Sequence, residues 1–237
     1  MELNTMFAAL LNSLGFDVHL RAGRVWKVGN PADLERTPDP WTGWSHMVLL
    51  VKIKDKNYLV DVGFGSNGPV RPLELLDELV DGVIPEQHQL DVIQAPHAPD
   101  QKVWILRHRR DPSGEWTPLF TFDAETPFSM ADYEIMSFHS HCHPTSPFVK
   151  SVLCGSVGFD GKIATTRKLL QNNVIKNRLN GENQVVKRLD SEEERLEAIE
   201  KIWKIIFTEK EKEGVYRWGV AITGPTPEKP VNIAGWS

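Results

Sequence analysis

A histidine and an aspartate occupy matching places in two apolar segments of this sequence. His46 opens segment 46–51, and Asp61 lies near the end of segment 58–62. A four-residue turn at 54–57 would pair the segments as a hairpin and bring the imidazole next to the carboxylate. A carboxylate between two valines is costly to bury without hydrogen bonds, and an imidazole N–H supplies one. Such a pair is the base and the orienting carboxylate of a nucleophilic triad. The alternative is a strand-end histidine and a turn aspartate with no contact between them.

A glycine-rich segment follows the aspartate. Residues 63–68 satisfy the pattern G-x-G-x-x-G, which in a dinucleotide-binding fold must open a helix. Pro69 and Pro72 come at once, and no helix begins across them. The sequence therefore predicts a tight loop that lines a substrate site, in which Phe64 and Val70 give apolar surface for an aromatic ring.

The other candidates for chemistry are the cysteines and a histidine-rich run. Cys154 lies in an apolar segment, which favours an inert core thiol. Imidazole and thiolate are zinc ligands, and four such residues stand close together: His139, His141, Cys142 and His143. Nothing elsewhere in the sequence completes a metal site at a recognisable spacing, so we expect no metal.

The elements that must position these residues are mostly short strands. Residues 18–28 have an extended pattern, and residues 31–41 form a proline-rich loop. Two further hairpins are predicted, by segments 103–109 with 115–122 and by segments 151–157 with 162–168. Many short strands joined by hairpin turns favour an antiparallel barrel or sandwich over βαβ units, and with two helices the predicted class is α+β.

Two segments have helical patterns. In residues 1–14 the apolar side chains recur at helical spacing, and Gly15 follows as a stop. These side chains are Leu3, Met6, Phe7, Leu10, Leu11 and Leu14. In the second segment Ser191 and Glu194 predict a capping box. An apolar stripe after this box is expected to dock on the sheet: Leu196, Ile199, Ile202, Trp203 and Ile206.

The composition is that of an ordinary globular protein. The 237 residues are 41% hydrophobic and 25% charged, which is enough to form a core in one or two domains. A net charge of −5 does not favour nucleic acid or an anionic membrane, and no apolar run reaches the roughly 20 residues that span a bilayer. Two cysteines cannot form a disulfide framework, which is typical of a reducing interior. We expect a cytoplasmic protein that binds neither nucleic acid nor membrane.

The order of motifs around the histidine and the aspartate resembles that of the arylamine N-acetyltransferases. That family has a T-G-x-x-H segment that leads into a hydrophobic strand and then, at the same interval, V-D-V/A-G-F-G. This chain has Thr42-Gly43-Trp44-Ser45-His46 and Val60-Asp61-Val62-Gly63-Phe64-Gly65. Shorter matches follow at 71–73, 120–123, 132–134 and 143–148. The resemblance covers nearly all of the chain and is strongest in 1–73 and 116–170.

This resemblance implies a fold and a reaction. The family fold has an N-terminal helical bundle, an antiparallel β-barrel and an α/β lid. Residues 1–15 would be a remnant of the bundle, 16–125 the barrel with the histidine and the aspartate, and 126–237 the lid. The implied acyl donor is acetyl-CoA, and the acceptors are arylamines or arylhydrazines, as in xenobiotic metabolism.

The resemblance also implies the missing nucleophile. In the family this is the cysteine of R-G-G-x-C-x-E-x-N, and the first four residues, Met1-Glu2-Leu3-Asn4, fit the last four positions of that motif. The cysteine would then immediately precede Met1, and we expect the chain to be truncated there. His46 would activate the thiol, and Asp61 would orient His46.

Further site residues are carried over in the same way. Thr42 and Gly43 would lie against coenzyme A, and Ser45 beside the acyl acceptor. Outside the family, residues 42–45 would be read as a simple turn before a strand.

Two other functions stay open. One is a catalytically dead protein that binds coenzyme A or arylamines, and the other is a cysteine hydrolase of related triad geometry. The sequence does not determine whether the acyl group is acetyl, propionyl or malonyl.

Overall fold

The structure is a computed structural model, and it describes residues 1–28, 35, 39–217 and 220–222. Most of the proline-rich loop predicted at 31–41 lies outside the described residues. The helices are α1 (Glu2–Ser13), α2 (Met130–Cys142), α3 (Pro147–Lys150), α4 (Glu192–Trp203) and α5 (Glu209–Arg217). The strands are β1 (Asp17–Trp26), β2 (Trp41–Ile53), β3 (Lys56–Val60), β4 (Leu73–Glu74), β5 (Glu78–Asp81), β6 (Gln87–Ala95), β7 (Ala98–Arg109), β8 (Thr117–Phe122), β9 (Leu153–Asp160), β10 (Ile163–Gln171), β11 (Val174–Leu179) and β12 (Glu182–Arg188).

Two antiparallel sheets contain all of these strands. Eight strands follow the order β4-β3-β2-β1-β8-β7-β6-β5 and form a nearly closed barrel. The other four form a second sheet in the order β12-β11-β10-β9. Most neighbours are consecutive in the chain, so hairpins build both sheets. The predicted class, α+β with an antiparallel barrel, is confirmed.

Strand β2 is buried on both faces, which explains its nearly continuous apolar sequence. Leu49 and Val51 lie on the outer face, where α1 packs on them. Val48 and Leu50 alternate with them and belong to the barrel core. The other buried members of that core are Leu59, Leu73, Leu90, Leu106, Leu119, Phe120 and Phe122.

Helix α1 follows the prediction and ends at Ser13, and Gly15 just beyond it has a φ of +87°, which suits glycine. Its buried residues, Asn4 and Ala8, face β2. Four of the apolar side chains that predicted the helix are between 52% and 70% exposed: Leu3, Met6, Leu10 and Leu14. The helix therefore has two apolar faces, and only one of them is covered by the barrel in this structure.

Helix α2 is absent from the sequence prediction, although Ser129 and Asp132 form a complete capping box at its start. It packs on the barrel, because Tyr133 and Met136 are buried in one cluster with Met47 of β2. None of the helices in the described ranges has the length and hydrophobicity of a membrane-spanning helix. The predicted division of the chain into 1–15, 16–125 and 126–237 stays a prediction.

The second sheet and α4 share a separate core, formed by Leu170, Ile175, Leu189 and Ile199. Ser191 caps α4 as predicted, since its hydroxyl accepts from the Glu194 N–H. The predicted box is only half formed, because the Glu194 carboxylate accepts from the N–H of Asp190. The prediction that Ile206 continues the buried stripe is wrong. Lys204 adopts a left-handed φ of 62° and ends the helix, and Ile206 beyond it is exposed.

The three predicted hairpins are present, with different bounds. The turn between β2 and β3 has two residues, Lys54 and Asp55, and not four, because Ile53 already pairs with Lys56. The hairpins β7–β8 and β9–β10 are each longer than the predicted segments on at least one strand. Short apolar runs thus located the strands correctly, while pairing with neighbours determined their ends.

Candidate active site

Neighbouring strands bring His46 and Asp61 together. Strand β2 begins at Trp41, so His46 lies inside the strand and does not open it as predicted, and Asp61 directly follows the end of β3. Since Leu49 pairs with Val60, Asp61 is level with Val48. His46 lies two residues from Val48 and therefore on the same face of the sheet. The pairing makes the two side chains diagonal neighbours, within reach of each other.

The imidazole of His46 and the carboxylate of Asp61 are hydrogen bonded. Nε2 of His46 lies 2.7 Å from Oδ2 of Asp61, and the two side chains are 9% and 0% exposed. An ionised carboxylate only accepts hydrogen bonds, so we assign the proton of the neutral ring to Nε2. The other ring nitrogen, Nδ1, has no hydrogen-bond partner among the described residues and keeps its lone pair. The predicted contact between these two side chains is confirmed.

The second oxygen of Asp61 is held by three N–H donors. Oδ1 accepts from Nδ2 of Asn4 at 2.9 Å, from the N–H of Gly63 at 2.8 Å and from the N–H of Phe64 at 3.1 Å. Burial raises the pKa of Asp61, but the charge and the hydrogen bond of His46, with the bonds from Asn4 and Gly63, outweigh burial and lower this pKa below its ordinary value. The carboxylate therefore stays ionised and holds the ring in one tautomer.

Asn4 connects the first turn of α1 to this pair. Besides its bond to Asp61, Nδ2 of Asn4 donates to the Met47 carbonyl at 2.6 Å, and its Oδ1 accepts from the Val62 N–H at 2.9 Å. The residue is completely buried. The start of α1 is thus fixed against the strand segment that carries His46. The sequence pattern indicated no role for Asn4, although the family motif ends at this residue.

Aromatic rings and a glycine surround the imidazole. The ring centres of Phe64 and Phe120 lie 5.3 Å and 5.1 Å from that of His46. Gly23 of β1 pairs with His46, and a Cβ atom at Gly23 would lie 3.0 Å from the carbonyl oxygen of Thr121 and 3.7 Å from the Cβ of His46. Only a residue without a side chain fits there without a shift of the backbone. Nothing in the sequence pattern pointed to Gly23, because this contact exists only once three strands are paired.

A cavity of about 390 Å³ opens beside Asp61. One wall is the segment between β3 and β4, residues 63–72, which we call the cavity loop. The opposite wall comes from β9 and β10 of the second sheet. Its apolar lining includes Phe7, Phe64, Val70, Val157, Phe159 and Leu169. The structure thus brings Phe64 and Val70 to one cavity with Asp61, and this volume and lining are typical of a small-molecule site.

The other predicted site residues lie elsewhere. Thr42, Gly43 and Ser45 belong to strand β2 and do not line this cavity, and they form no simple turn before the strand. The hydroxyl of Thr42 accepts from the Val25 N–H at 2.8 Å and lies 2.6 Å from the Ser45 hydroxyl oxygen. His46 is also outside the cavity lining. The assignment of these β2 residues to coenzyme A and acceptor stays a prediction.

The two thiols are separate from the His46 and Asp61 pair. Cys142 ends α2, and Cys154 lies in β9 beside the core of the second sheet. Burial raises the pKa of the Cys154 thiol, which makes it a poor nucleophile. Neither thiol hydrogen-bonds His46 within the described ranges. In that same part of the chain, no group of three or more histidine, cysteine or carboxylate side chains is arranged to hold a metal.

Known proteins resemble this chain both in sequence and in fold. The sequence profile of the N-acetyltransferase family matches residues 1–212. The N-malonyltransferase FDB2 of Gibberella moniliformis is 31% identical over 226 residues, which cover 90% of this chain and 65% of that protein. The arylamine N-acetyltransferase of Mycolicibacterium smegmatis is 32% identical over 170 residues, which cover 68% of this chain and 54% of that protein. The chain thus spans less than two thirds of the length of either relative.

The solved structures agree with the sequence matches. The structure of Mycobacterium marinum arylamine N-acetyltransferase in complex with CoA aligns with a TM-score of 0.69 and 26% identity, over 85% of this chain and 67% of that one. The fold, the order of motifs and the profile match lead to the same conclusion: the chain belongs to the arylamine N-acetyltransferase family.

Proposed function

We propose that His46 and Asp61 are the imidazole and carboxylate of a Cys-His-Asp acyltransferase that moves an acyl group from coenzyme A to an arylamine. The observation that carries this proposal is the 2.7 Å bond between the two side chains, held at the start of α1 by Asn4. Relatives named N-malonyltransferase and arylamine N-acetyltransferase, and a neighbour solved with CoA, support the reaction class. The substrates and the activity of the whole protein belong to this proposal.

The nucleophile in this proposal is the cysteine of the family motif, which would directly precede Met1 when Glu2 and Asn4 are matched to that motif. Because Asn4 fixes the first turn of α1 beside Asp61, a thiol at that position would lie near the imidazole. It would also lie at the positive end of the α1 dipole, which stabilises a thiolate. Nδ1 of His46 would take the thiol proton, and Asp61 would stabilise the imidazolium that forms.

Two half-reactions follow from this arrangement. The thiolate attacks the thioester carbonyl of acyl-CoA, the bond from that carbonyl to the CoA sulfur breaks, and the CoA thiolate takes the proton of the His46 imidazolium. An arylamine nitrogen then attacks the acyl-cysteine and gives a proton to His46. Cleavage of the carbonyl–sulfur bond releases the N-acylated amine and restores the thiolate and imidazolium.

The cavity beside Asp61 is the acceptor site in this proposal. Phe64 and Val70 would contact the aromatic ring, and Ser45 would lie beside the acceptor. Thr42 and Gly43 would lie against coenzyme A, so Thr42→Trp should raise the apparent KM for acyl-CoA.

We also propose a cytoplasmic location, because the two cysteines form no disulfide framework.

The test is acyl transfer by a version of the chain in which a cysteine precedes Met1, with serine at that position as the matched control. Acetyl-CoA and malonyl-CoA are supplied separately with aniline, and released CoA, N-acylaniline and the acylated residue are measured. We expect an acyl group on the added cysteine, and a loss of turnover of about a thousandfold in His46→Gln. A folded chain that forms no adduct with either donor would contradict the proposal.

A second candidate is a protein that binds coenzyme A or arylamines without turnover. It is favoured by the position of the chain's own thiols, since neither Cys142 nor Cys154 hydrogen-bonds His46 within the described ranges. Calorimetric titration of the unaltered chain with coenzyme A separates the candidates. Binding combined with no adduct in the test above supports the second candidate, whereas ester cleavage without CoA binding indicates a cysteine hydrolase.

A further inference from the structure

A buried cluster of charged and titratable side chains joins the barrel to the second sheet. Its five members are between 1% and 3% exposed: Glu86, His88, His108, Arg167 and Arg178. Glu86 directly precedes β6, the histidines lie on β6 and β7, and the arginines lie on β10 and β11. The proposed reaction uses none of these residues, and the sequence pattern did not single them out.

Glu86 is the only carboxylate in this cluster. Its Oε2 accepts from Nε of Arg167 at 2.9 Å and lies 3.3 Å from Nε2 of His108, and its Oε1 accepts from Nη1 of Arg178 at 3.1 Å. Burial raises the pKa of Glu86, but the hydrogen bond of His108 and the charges of Arg167, His108 and Arg178 outweigh burial and lower it to about 2. The two guanidinium groups therefore face an ionised partner.

The same side chains hold three consecutive residues of the cavity loop. Nη1 of Arg178 donates to the carbonyl oxygen of Ser66 at 3.0 Å and to Oδ1 of Asn67 at 2.8 Å. Nη2 of Arg167 donates to the carbonyl oxygen of Gly68 at 2.9 Å. Nε2 of His88 lies 2.8 Å from the carbonyl oxygen of Asn67. Each backbone carbonyl from 66 to 68 is therefore bonded to a side chain of the cluster.

We propose that Glu86 is a positioning residue that fixes the cavity loop against the second sheet, and thereby sets the width of the acceptor cavity. Phe64 and Val70, on either side of the bonded carbonyls, line the cavity, and so does Arg167 itself. The loop contains Gly65 at a φ of +95°, and within the loop only the Gly68 N–H donates to a carbonyl, that of Gly65, among the described residues. The carbonyls of residues 66 to 68 therefore depend on the cluster for their hydrogen bonds. The inference rests on the proposed function of the cavity as the acceptor site.

Removal of the Glu86 charge should act on the loop through the arginines. Two buried guanidinium groups without a carboxylate are strongly unfavourable, and they regain solvation by moving towards water. Such a movement withdraws their donors from Ser66, Asn67 and Gly68. The loop carbonyls lose their partners, and the part of the cavity wall that includes Val70 is no longer held in one place, while Phe64 keeps its contacts with Asp61, His46 and Phe120.

The experiment compares Glu86→Gln with Glu192→Gln in the unaltered chain. Glu192 forms an equally buried ion pair with Arg195 at 2.8 Å, and neither residue lines the cavity. Hydrogen exchange of the amides of the cavity loop is measured together with the dissociation constant of aniline. We expect Glu86→Gln to raise both about tenfold, and Glu192→Gln to change neither although both variants lose stability.

The outcomes separate this inference from the proposed function. Equal loop exchange in the two variants would overturn the positioning role of Glu86, even if aniline binds. Faster loop exchange in Glu86→Gln alone, with no aniline binding to the unaltered chain, would support the positioning role and overturn the acceptor site. If Glu86→Gln does not fold, Arg178→Lys replaces it. Lysine keeps the positive charge but cannot donate from several N–H groups as a guanidinium does, so a smaller rise in loop exchange is expected.

Discussion

At the residue scale, Asp61 has the bonding pattern of a group that orients its neighbour and keeps its charge. Oδ2 is bonded to the His46 imidazole, while Oδ1 accepts from Asn4 and from two backbone N–H groups. A carboxylate with both oxygens bonded resists protonation, which agrees with its lowered pKa. The part of Asp61 in the proposed reaction is therefore to fix the ring and to stabilise its protonated form.

Asn4 offers the first prediction at this scale. The change Asn4→Ala leaves the Met47 carbonyl, the Val62 N–H and one bond of Asp61 without a partner, because no other described side chain supplies these bonds. We expect the free energy of unfolding to fall by about 2–3 kcal/mol, measured by urea unfolding. Asn12→Ala, at an exposed position of α1, is the control and should change it by less than about 0.5 kcal/mol. Equal losses in the two variants would argue against a structural role for Asn4.

The candidate site was predictable only where its residues are joined by local pairing. His46 and Asp61 belong to one hairpin, so the types and spacing of the residues were enough to place them together. Asn4, Gly23 and Glu86 reach the site or the cavity loop through contacts between segments distant in the chain. Such contacts depend on tertiary packing, which leaves no periodic pattern in a single sequence.

At the element scale, α1 combines a covered and an uncovered apolar face. Asn4 and Ala8 are buried on the barrel, while Leu3, Met6, Leu10 and Leu14 are exposed. A contiguous exposed apolar surface promotes association in water. The uncovered face of α1 should therefore make this 237-residue chain associate with itself as its concentration rises.

The prediction for this face uses the double change Met6→Lys with Leu10→Lys. Both side chains are exposed, so the free energy of unfolding should change by less than about 1 kcal/mol. Self-association, measured by sedimentation velocity over a range of concentrations, should decrease. Phe7→Lys is the matched control on the covered face, where Phe7 packs with Leu49 and Val51, and it should destabilise the fold. A monomeric unaltered chain at all concentrations would contradict the prediction.

Element identity was predictable where local signals are strong. The hairpins β2–β3, β7–β8 and β9–β10 follow from apolar runs with turn residues between them. The hairpin β11–β12 was missed although Asn180 and Gly181 carry its signal, and both have the positive φ that a type I′ turn requires. Helix α2 was missed because its apolar residues do not lie on one face: Tyr133 and Met136 are buried, whereas Ile135 and Phe138 are exposed. Only the capping box at Ser129 signals its start.

At the scale of the whole molecule, the cluster around Glu86 joins the barrel and the second sheet through titratable groups. Burial lowers the pKa of His88 to about 4, and burial and the neighbouring arginines also lower that of His108. Glu86, Arg167 and Arg178 face these rings, and Glu86 itself has a pKa of about 2. Glu86, His88 and His108 therefore release their protons more readily in the folded chain than in the unfolded chain.

The consequence is a loss of stability in acid. The unfolded chain binds more protons wherever its pKa values are the higher ones, so the free energy of unfolding falls as the pH falls. As the pH falls below about 6.5, the pKa of these histidines in the unfolded chain, the unfolded chain takes up protons that the folded chain does not. The stability that neutral His88 gives the fold is therefore lost by about pH 4. Glu86 adds to the loss from about pH 4.5 down to about pH 2. This stability is fully present above the upper limit of each interval.

His88→Gln tests this account, since glutamine still offers an N–H to the Asn67 carbonyl but does not titrate. Between pH 7 and pH 4 the unaltered chain should lose about 3 kcal/mol more than the variant, measured by urea unfolding at several pH values. His97→Gln, at an exposed position, should follow the unaltered chain. Parallel pH profiles for His88→Gln and the unaltered chain would show that the ring does not titrate on unfolding.

The assignment of His46 and Asp61 as a catalytic pair is tested by the protonation of the His46 ring, read from the long-range ¹H–¹⁵N spectrum of the chain at about pH 8, where a free histidine is neutral. His46→Gln identifies its signals among the 8 histidines. We expect a proton on Nε2, bonded to Asp61, and an unprotonated Nδ1, with loss of this preference in Asp61→Asn. A proton on Nδ1, or a ring that is unchanged by Asp61→Asn, would contradict the assignment of His46 and Asp61 as a catalytic pair.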